Sequence, residues 1–286
     1  MTPPTSWSRR GLLTSAFGLG LGLASGPLLG EPDAGAAAAA LPPGFPRQEL
    51  DAVREVVGRS HFDLERVREL VSARPALARA SWDWGFGDWE SALGAASHTG
   101  RGEIAQVLIE HGARPNLFTA AMLGQLAVVR ATIEARPGIQ SIRGPHGLTL
   151  LHHARQGGEP ARAVVAYLEQ VGGADPALPT VPLPPEGRAL YPGEYRFGPG
   201  ADEIFEVTLE EETLRLGGPS TAQRTLHPLG DHAFSPAGAE AVRIRFEVAD
   251  GRARAVTVHD PGLLARGVRG GGAGSAGPAS GQRPTP

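Results

Sequence analysis

Cysteine is absent from the 286 residues, which excludes disulfides, thiol nucleophiles and cysteine-held zinc. Lysine is absent too, so all 27 basic side chains are arginine. That removes Schiff-base chemistry, the phosphate-loop lysine and the Ser-x-x-Lys nucleophile pair. Arginine's high pKa makes it a poor general base. Aromatic residues are scarce at 6%. A net charge of −3 leaves no basic footprint for nucleic acid. Glycine (40) and proline (26) are plentiful instead, gathered at the ends and near the middle. With 41% hydrophobic residues, the length suffices for two small domains, or for one domain with tails.

Ser8-Arg9-Arg10-Gly11-Leu12-Leu13 precedes an apolar stretch from Leu12 to Leu29, with small residues from Ala34 to Ala40. A charged head, an apolar middle and Ala-x-Ala sites form an export signal. The paired arginines and the glycines at 18, 20, 22 and 26 resemble a twin-arginine signal. That family usually has Phe where Leu12 stands and Lys where Thr14 stands. Residues 1–40 are expected to be cleaved after Ala38 or Ala40, which leaves an exported, periplasmic or extracellular protein with no stable membrane span. An uncleaved membrane anchor is the alternative, weakened by Pro27 and the glycines.

Residues 41–46 (Leu-Pro-Pro-Gly-Phe-Pro) read as a linker. Residues 47–175 read as short helices parted by Gly and Pro. Residues 176–188, with Pro176, Pro179, Pro182, Pro184 and Pro185, read as a stiff extended connector. Residues 189–268 alternate with period two, and 269–286 read as a disordered tail.

Within 47–175 a pattern recurs. Ser91-Ala92-Leu93-Gly94-Ala95-Ala96, Gly100, the stripe Ile104, Val107 and Leu108, and His111-Gly112-Ala113 are echoed downstream. The echo is Thr149-Leu150-Leu151-His152-His153-Ala154, Gly157, Val164-Val165, Tyr167-Leu168 and Gly173-Ala174-Asp175. Small residues at Ala96 and Ala154 let a second helix lie close. Glycine permits the tight turn between them. The stripe buries one helix face, and Gly112 ends that helix. Weaker units run through Leu64, Val67, Leu70 and Val71, and through Leu126, Val129 and Ile133, each ending in Ala-Arg-Pro. Ala96 and Ala120 are 24 positions apart, against about 33 in a standard repeat. A first helix is expected at Gln48–Val57, with Leu50, Val53 and Val57 inward. These residues resemble the ankyrin repeat. The resemblance implies about four units over 47–175, each touching only its neighbours, that present a non-catalytic binding surface.

Trp82-Asp83-Trp84-Gly85-Phe86-Gly87-Asp88-Trp89 falls where a finger loop between units belongs. Three of the four tryptophans are here. Trp82, Asp83, Trp84, Phe86, Asp88 and Trp89 are candidate contacts for a ligand or partner, and carboxylates beside rings suit a cation or a sugar. The same loop could instead fold back as a plug against the N-terminal helix or the β domain. His61, His98, His111, His146, His152 and His153 all lie in the helical half. No His-x-x-x-His pair with Glu is present, so no metal site is expected. His152 is expected to bond backbone between units with His153 exposed beside it, and His98 and His146 could approach across the stack.

From Leu190 the pattern changes. Strands are expected over Leu190–Phe197, Phe205–Leu209, Thr213–Leu216, Arg224–Leu229, His232–Phe234, Val242–Val248 and Ala253–His259, with a turn at Asp250-Gly251. Tyr191 to Tyr195, Leu226 to Gly230 with Phe234, and Ile244 to Gly251 resemble the small lipocalin-like barrel appended to many beta-lactamase-related hydrolases. No catalytic residue of those enzymes is carried over, since their nucleophile lies in another domain. His227, Asp231 and His232 read as an exposed polar turn.

The expected fold class is multidomain α plus β, an N-terminal ankyrin-type helical solenoid followed by a small antiparallel β-barrel. The expected function is a non-catalytic protein-binding or scaffold protein of the bacterial envelope. It would have a protein partner of unknown identity and no cofactor. The alternatives are a small-ligand binder through the barrel or the Trp82–Trp89 loop, an unrecognised hydrolase given the barrel's usual company, and an antidote protein that neutralises a toxin.

Overall fold

Side-chain caps start four of the helices before the barrel. The helices are α1 (Leu50–Arg59), α2 (Leu64–Ala73), α3 (Ala92–His98), α4 (Gly102–Glu110), α5 (Leu117–Met122), α6 (Leu126–Ala135), α7 (Leu150–Gln156) and α8 (Arg162–Val171). Asp63, Ser91, Asn116 and Thr149 accept the backbone N–H of the residue three positions on, at the starts of α2, α3, α5 and α7. Each such cap is worth about 1 kcal/mol. Gly112, at φ 92, follows the end of α4. The computed structural model describes residues 47–201, 203–219 and 221–270. The expected export signal, the 41–46 linker and residues 271–286 of the expected tail lie outside them. Among the described residues no helix is long and apolar enough to cross a membrane.

The helices do not form the expected ankyrin-type solenoid. They are short, from six residues in α5 to ten in α1, and they scatter around two separate cores. One core runs from Val56 to Met122, the other from Phe118 to Ala174. α3 packs against α1, α4 and α5 and also against α7, while α4 and α6 make little contact. A stack in which each unit meets only its neighbours allows neither. The physical reason is the shortened spacing before α5. Without a connecting finger there, nothing holds α3 away from α7, and Gly100 comes so close that a Cβ on it would lie 2.3 Å from the Gln156 carbonyl oxygen. α3 is accordingly buried on every side from Ala92 to Ser97. Leu50, expected inward, is 72% exposed. α1 begins at that residue; Val57 is buried as expected, and Val56 is buried beside it.

The tryptophan-rich segment is a two-stranded ribbon of β1 (Ser81–Asp83) and β2 (Trp89–Ser91), with Trp82 opposite Glu90. Beyond the helices, β3 (Gly193–Arg196), β4 (Ile204–Glu210), β5 (Thr213–Gly218), β6 (Thr221–Gly230), β7 (Ala233–Pro236), β8 (Arg243–Ala249), β9 (Arg252–Asp260) and β10 (Gly262–Arg269) form a closed antiparallel barrel. Each strand pairs with the next, and β10 closes on β3 through Val268–Arg196 and Arg269–Tyr195. The seven strands expected from alternation are present. β10 was not among them, and Arg269, expected in the disordered tail, is its last residue. The interior is packed with side chains, including Tyr195, Phe234, Ile244, Phe246 and Val256, as small barrels require. The proline connector runs beside the barrel, where the Val181 N–H donates to the Pro228 carbonyl. It ends in a helical turn, Pro185–Arg188, rather than staying extended throughout.

Candidate metal centre

The period-two alternation of β2 turns Trp89 out and Glu90 in. Ser91 then caps α3, which fixes Glu90 at the foot of that helix. Glu90 is fully buried. Three histidines from three separate turns surround its carboxylate. His61 follows α1, His98 ends α3, and His146 lies in the loop before α7. His61 Nε2 is 3.4 Å from Glu90 Oε2. His98 Nε2 and His146 Nε2 are 2.8 and 3.3 Å from Oε1. One ligand-type atom from each of the four residues lies within 4.8 Å of the other three.

A second ring of groups orients the first. Trp84 Nε1 donates to Glu90 Oε2 at 2.7 Å. His61 Nδ1 faces the Gly58 carbonyl oxygen at 3.0 Å, and His146 Nδ1 faces Asp88 Oδ2 at 2.7 Å. A carbonyl or carboxylate oxygen accepts, so both Nδ1 atoms carry hydrogen and both Nε2 atoms direct a lone pair inward when the rings are neutral. Asp88, 3% exposed, also accepts the His146 backbone N–H at 2.9 Å and Arg224 Nη1 from β6 at 2.7 Å. His98 Nε2 and Glu90 Oε1, though close, are misaligned for a hydrogen bond, so each is a buried polar atom without a hydrogen-bond partner among the described residues.

Burial alone would raise the Glu90 carboxyl, but the His146 and His98 rings and the nearby imidazole charges outweigh it and hold it at about 2. Burial alone would lower His146, but Asp88 and Glu90 outweigh that and push it up to about 9. Asp88 is held below the usual carboxylate range, since His146 and Arg224 overcome its burial. The cluster therefore has a strong field for a cation.

The six residues singled out in the tryptophan segment divide between the two uses expected for it. Trp84 and Asp88 belong to the centre. Trp82 packs on the first helical core under the Arg54 guanidinium. Asp83 accepts the Gly85 N–H and closes the turn. Phe86 meets Phe205 of the barrel with ring centroids 5.5 Å apart. Trp89 is 64% exposed and stands apart. His152 Nε2 contacts the His98 carbonyl at 3.2 Å, a backbone link, but one to α3 rather than to the neighbouring helix pair that the resemblance implied. His153 is not exposed but fully buried, its ring 4.7 Å from that of Phe118, because the inner face of α7 meets α5 there. Asp231 and His232 form the exposed β6–β7 turn, and His232 Nδ1 lies 2.8 Å from the Tyr191 hydroxyl. No sequence signal pointed to His61 or Glu90 as partners of His98 and His146.

Comparison of the chain with protein-family models, with curated proteins and with solved structures finds no match.

Proposed function

We propose that this protein binds one first-row divalent ion of the zinc class through His61, Glu90, His98 and His146. The observation that carries the reading is the inward convergence of three imidazole nitrogens and one carboxylate oxygen, two of those atoms being buried without a hydrogen bond. Imidazole with carboxylate suits zinc and its neighbours in the first transition row. Metal–ligand bonds of about 2.0–2.1 Å place tetrahedral neighbours about 3.4 Å apart. The His146 contact to Glu90 Oε1, at 3.3 Å, already has that spacing, while His61 Nε2 stands 3.4 Å from the other oxygen, Oε2. The His98 contact needs to open by about half an ångström. A network sharing only protons would instead align His98 Nε2 with Glu90 Oε1. Small-ligand binding is thereby better supported than docking of a protein partner, whose platform was to be a regular helical stack.

The test is zinc titration of the chelator-stripped chain, followed by calorimetry and elemental analysis. One ion per chain is expected. His61→Ala removes one of the four ligands and should weaken zinc at least tenfold, with circular dichroism checking that the fold is kept. A folded chain that takes up neither zinc, cobalt nor nickel would sink the reading.

A further inference from the structure

The candidate centre is closed below and open to one side. Glu90 is wholly buried and the His98 ring is 10% exposed, whereas His61 and His146 are 23% and 30% exposed. Those two rings and Trp84 form one wall of a cleft of about 390 Å³. The opposite wall comes from the barrel, with Arg215 on β5 and Arg224 and Thr225 on β6. Among the described residues that line this cleft, His61 and His146 are the only imidazoles and none is a carboxylate.

Arg224 is 5% exposed. Its Nη1 donates to Asp88 and to the Ala237 carbonyl, and its Nη2 to the Trp84 carbonyl. Its Nε–H is buried with no partner among the described residues. A buried donor left unpaired is costly, and that penalty is removed when an acceptor arrives. Arg215, 38% exposed, pairs with Glu210 at the rim. With a divalent ion bound, the positive charges of the ion, Arg215 and Arg224 exceed those of Glu90, Asp88 and Glu210 by one. Every other feature of this wall, Thr225 included, is neutral or apolar.

We propose that the cleft binds a small oxyanion, a carboxylate or phosphate group, with one oxygen on the open side of the ion and another on the arginine wall. The inference rests on the metal reading above. The volume is at the small end of the range for ligand pockets, so the ligand is a small molecule rather than a polymer. The Trp84 indole offers an apolar flank for the rest of it.

The test uses the full chain loaded with Co²⁺, whose visible absorption reports its coordination. Acetate and phosphate are titrated separately. A saturable spectral change is expected with at least one of them, and the anion that produces it assigns the carboxylate or the phosphate class. The metal-free chain should bind that anion at least tenfold more weakly, read by calorimetry. Arg215→Gln, at a side chain 38% exposed on β5, should weaken anion binding about tenfold, the worth of one charged hydrogen bond, with cobalt affinity unchanged. Stoichiometric cobalt uptake with a spectrum indifferent to both anions overturns this inference and leaves the metal reading standing. Anion binding that is unaltered by Arg215→Gln also overturns it. Failure to take up cobalt at all overturns both readings.

Discussion

His146 shows how one residue is held for a purpose. It adopts φ 58 and ψ 17, a left-handed conformation that costs a side-chain-bearing residue about 1–2 kcal/mol. Asp88 grips both its backbone N–H and its ring Nδ1, which holds the conformation and aims Nε2 at Glu90. His153, one shell out, does the opposite. Burial pushes it down to about 4, with the Thr149 carbonyl opposing that only in part. The unfolded chain, near 6.5, then takes the proton first as pH falls. Stability from this residue is complete above about 6.5 and is lost progressively toward 4, by on the order of 3 kcal/mol. Urea denaturation of the wild type and of His153→Gln across that window should give curves that diverge on the acid side. Parallel curves would refute the neutral buried imidazole.

At the scale of elements, glycines that look alike in the sequence differ in role. Gly100 (φ 70) and Gly112 (φ 92) both end helices in left-handed turns. A Cβ on Gly112 would meet nothing within 4 Å, whereas one on Gly100 would strike the Gln156 carbonyl. Gly112→Ala should cost about 1 kcal/mol, the backbone penalty alone. Gly100→Ala should cost at least about 2 kcal/mol more, because α3 and α7 must separate. Thermal denaturation of the two variants measures the difference, and equal losses would mean that the α3–α7 contact is unimportant. Both turns were legible in the sequence, since a helix stop depends on the residues beside it. β10 was not legible. Leu263, Leu264 and Val268 are exposed, so its burial pattern carries no clean alternation. Gly267 is there because a Cβ would lie 2.8 Å from the Phe197 ring, which no local pattern reveals.

For the whole molecule, the contact that matters is Asp88 with Arg224, 136 positions apart and buried on both sides. It ties the ribbon that carries Glu90 to the barrel. Arg224→Met removes one partner of a buried ion pair and should cost about 3 kcal/mol. It should also split a single calorimetric transition into separate helical and barrel transitions. One unsplit transition at the wild-type temperature would show that the pair does not couple them. The expected solenoid failed at this scale. The helices pair in sequence order, but α3 also reaches α7, and a fold with such a skip is not a nearest-neighbour array.

The sequence by itself determined where several helices begin or end and where the β8–β9 hairpin turns. Asp63, Ser91, Asn116, Thr149, Gly112 and Asp250-Gly251 act on residues within a few positions of themselves, through caps and turns that need no distant partner. It also marked Trp84 and Asp88 as out of the ordinary. Only the tertiary structure decided that His61, Glu90, His98 and His146 meet and that an arginine of the barrel faces them. These groups come from separate turns and strands, and their approach depends on which apolar faces bury one another, a long-range outcome that no local spacing records.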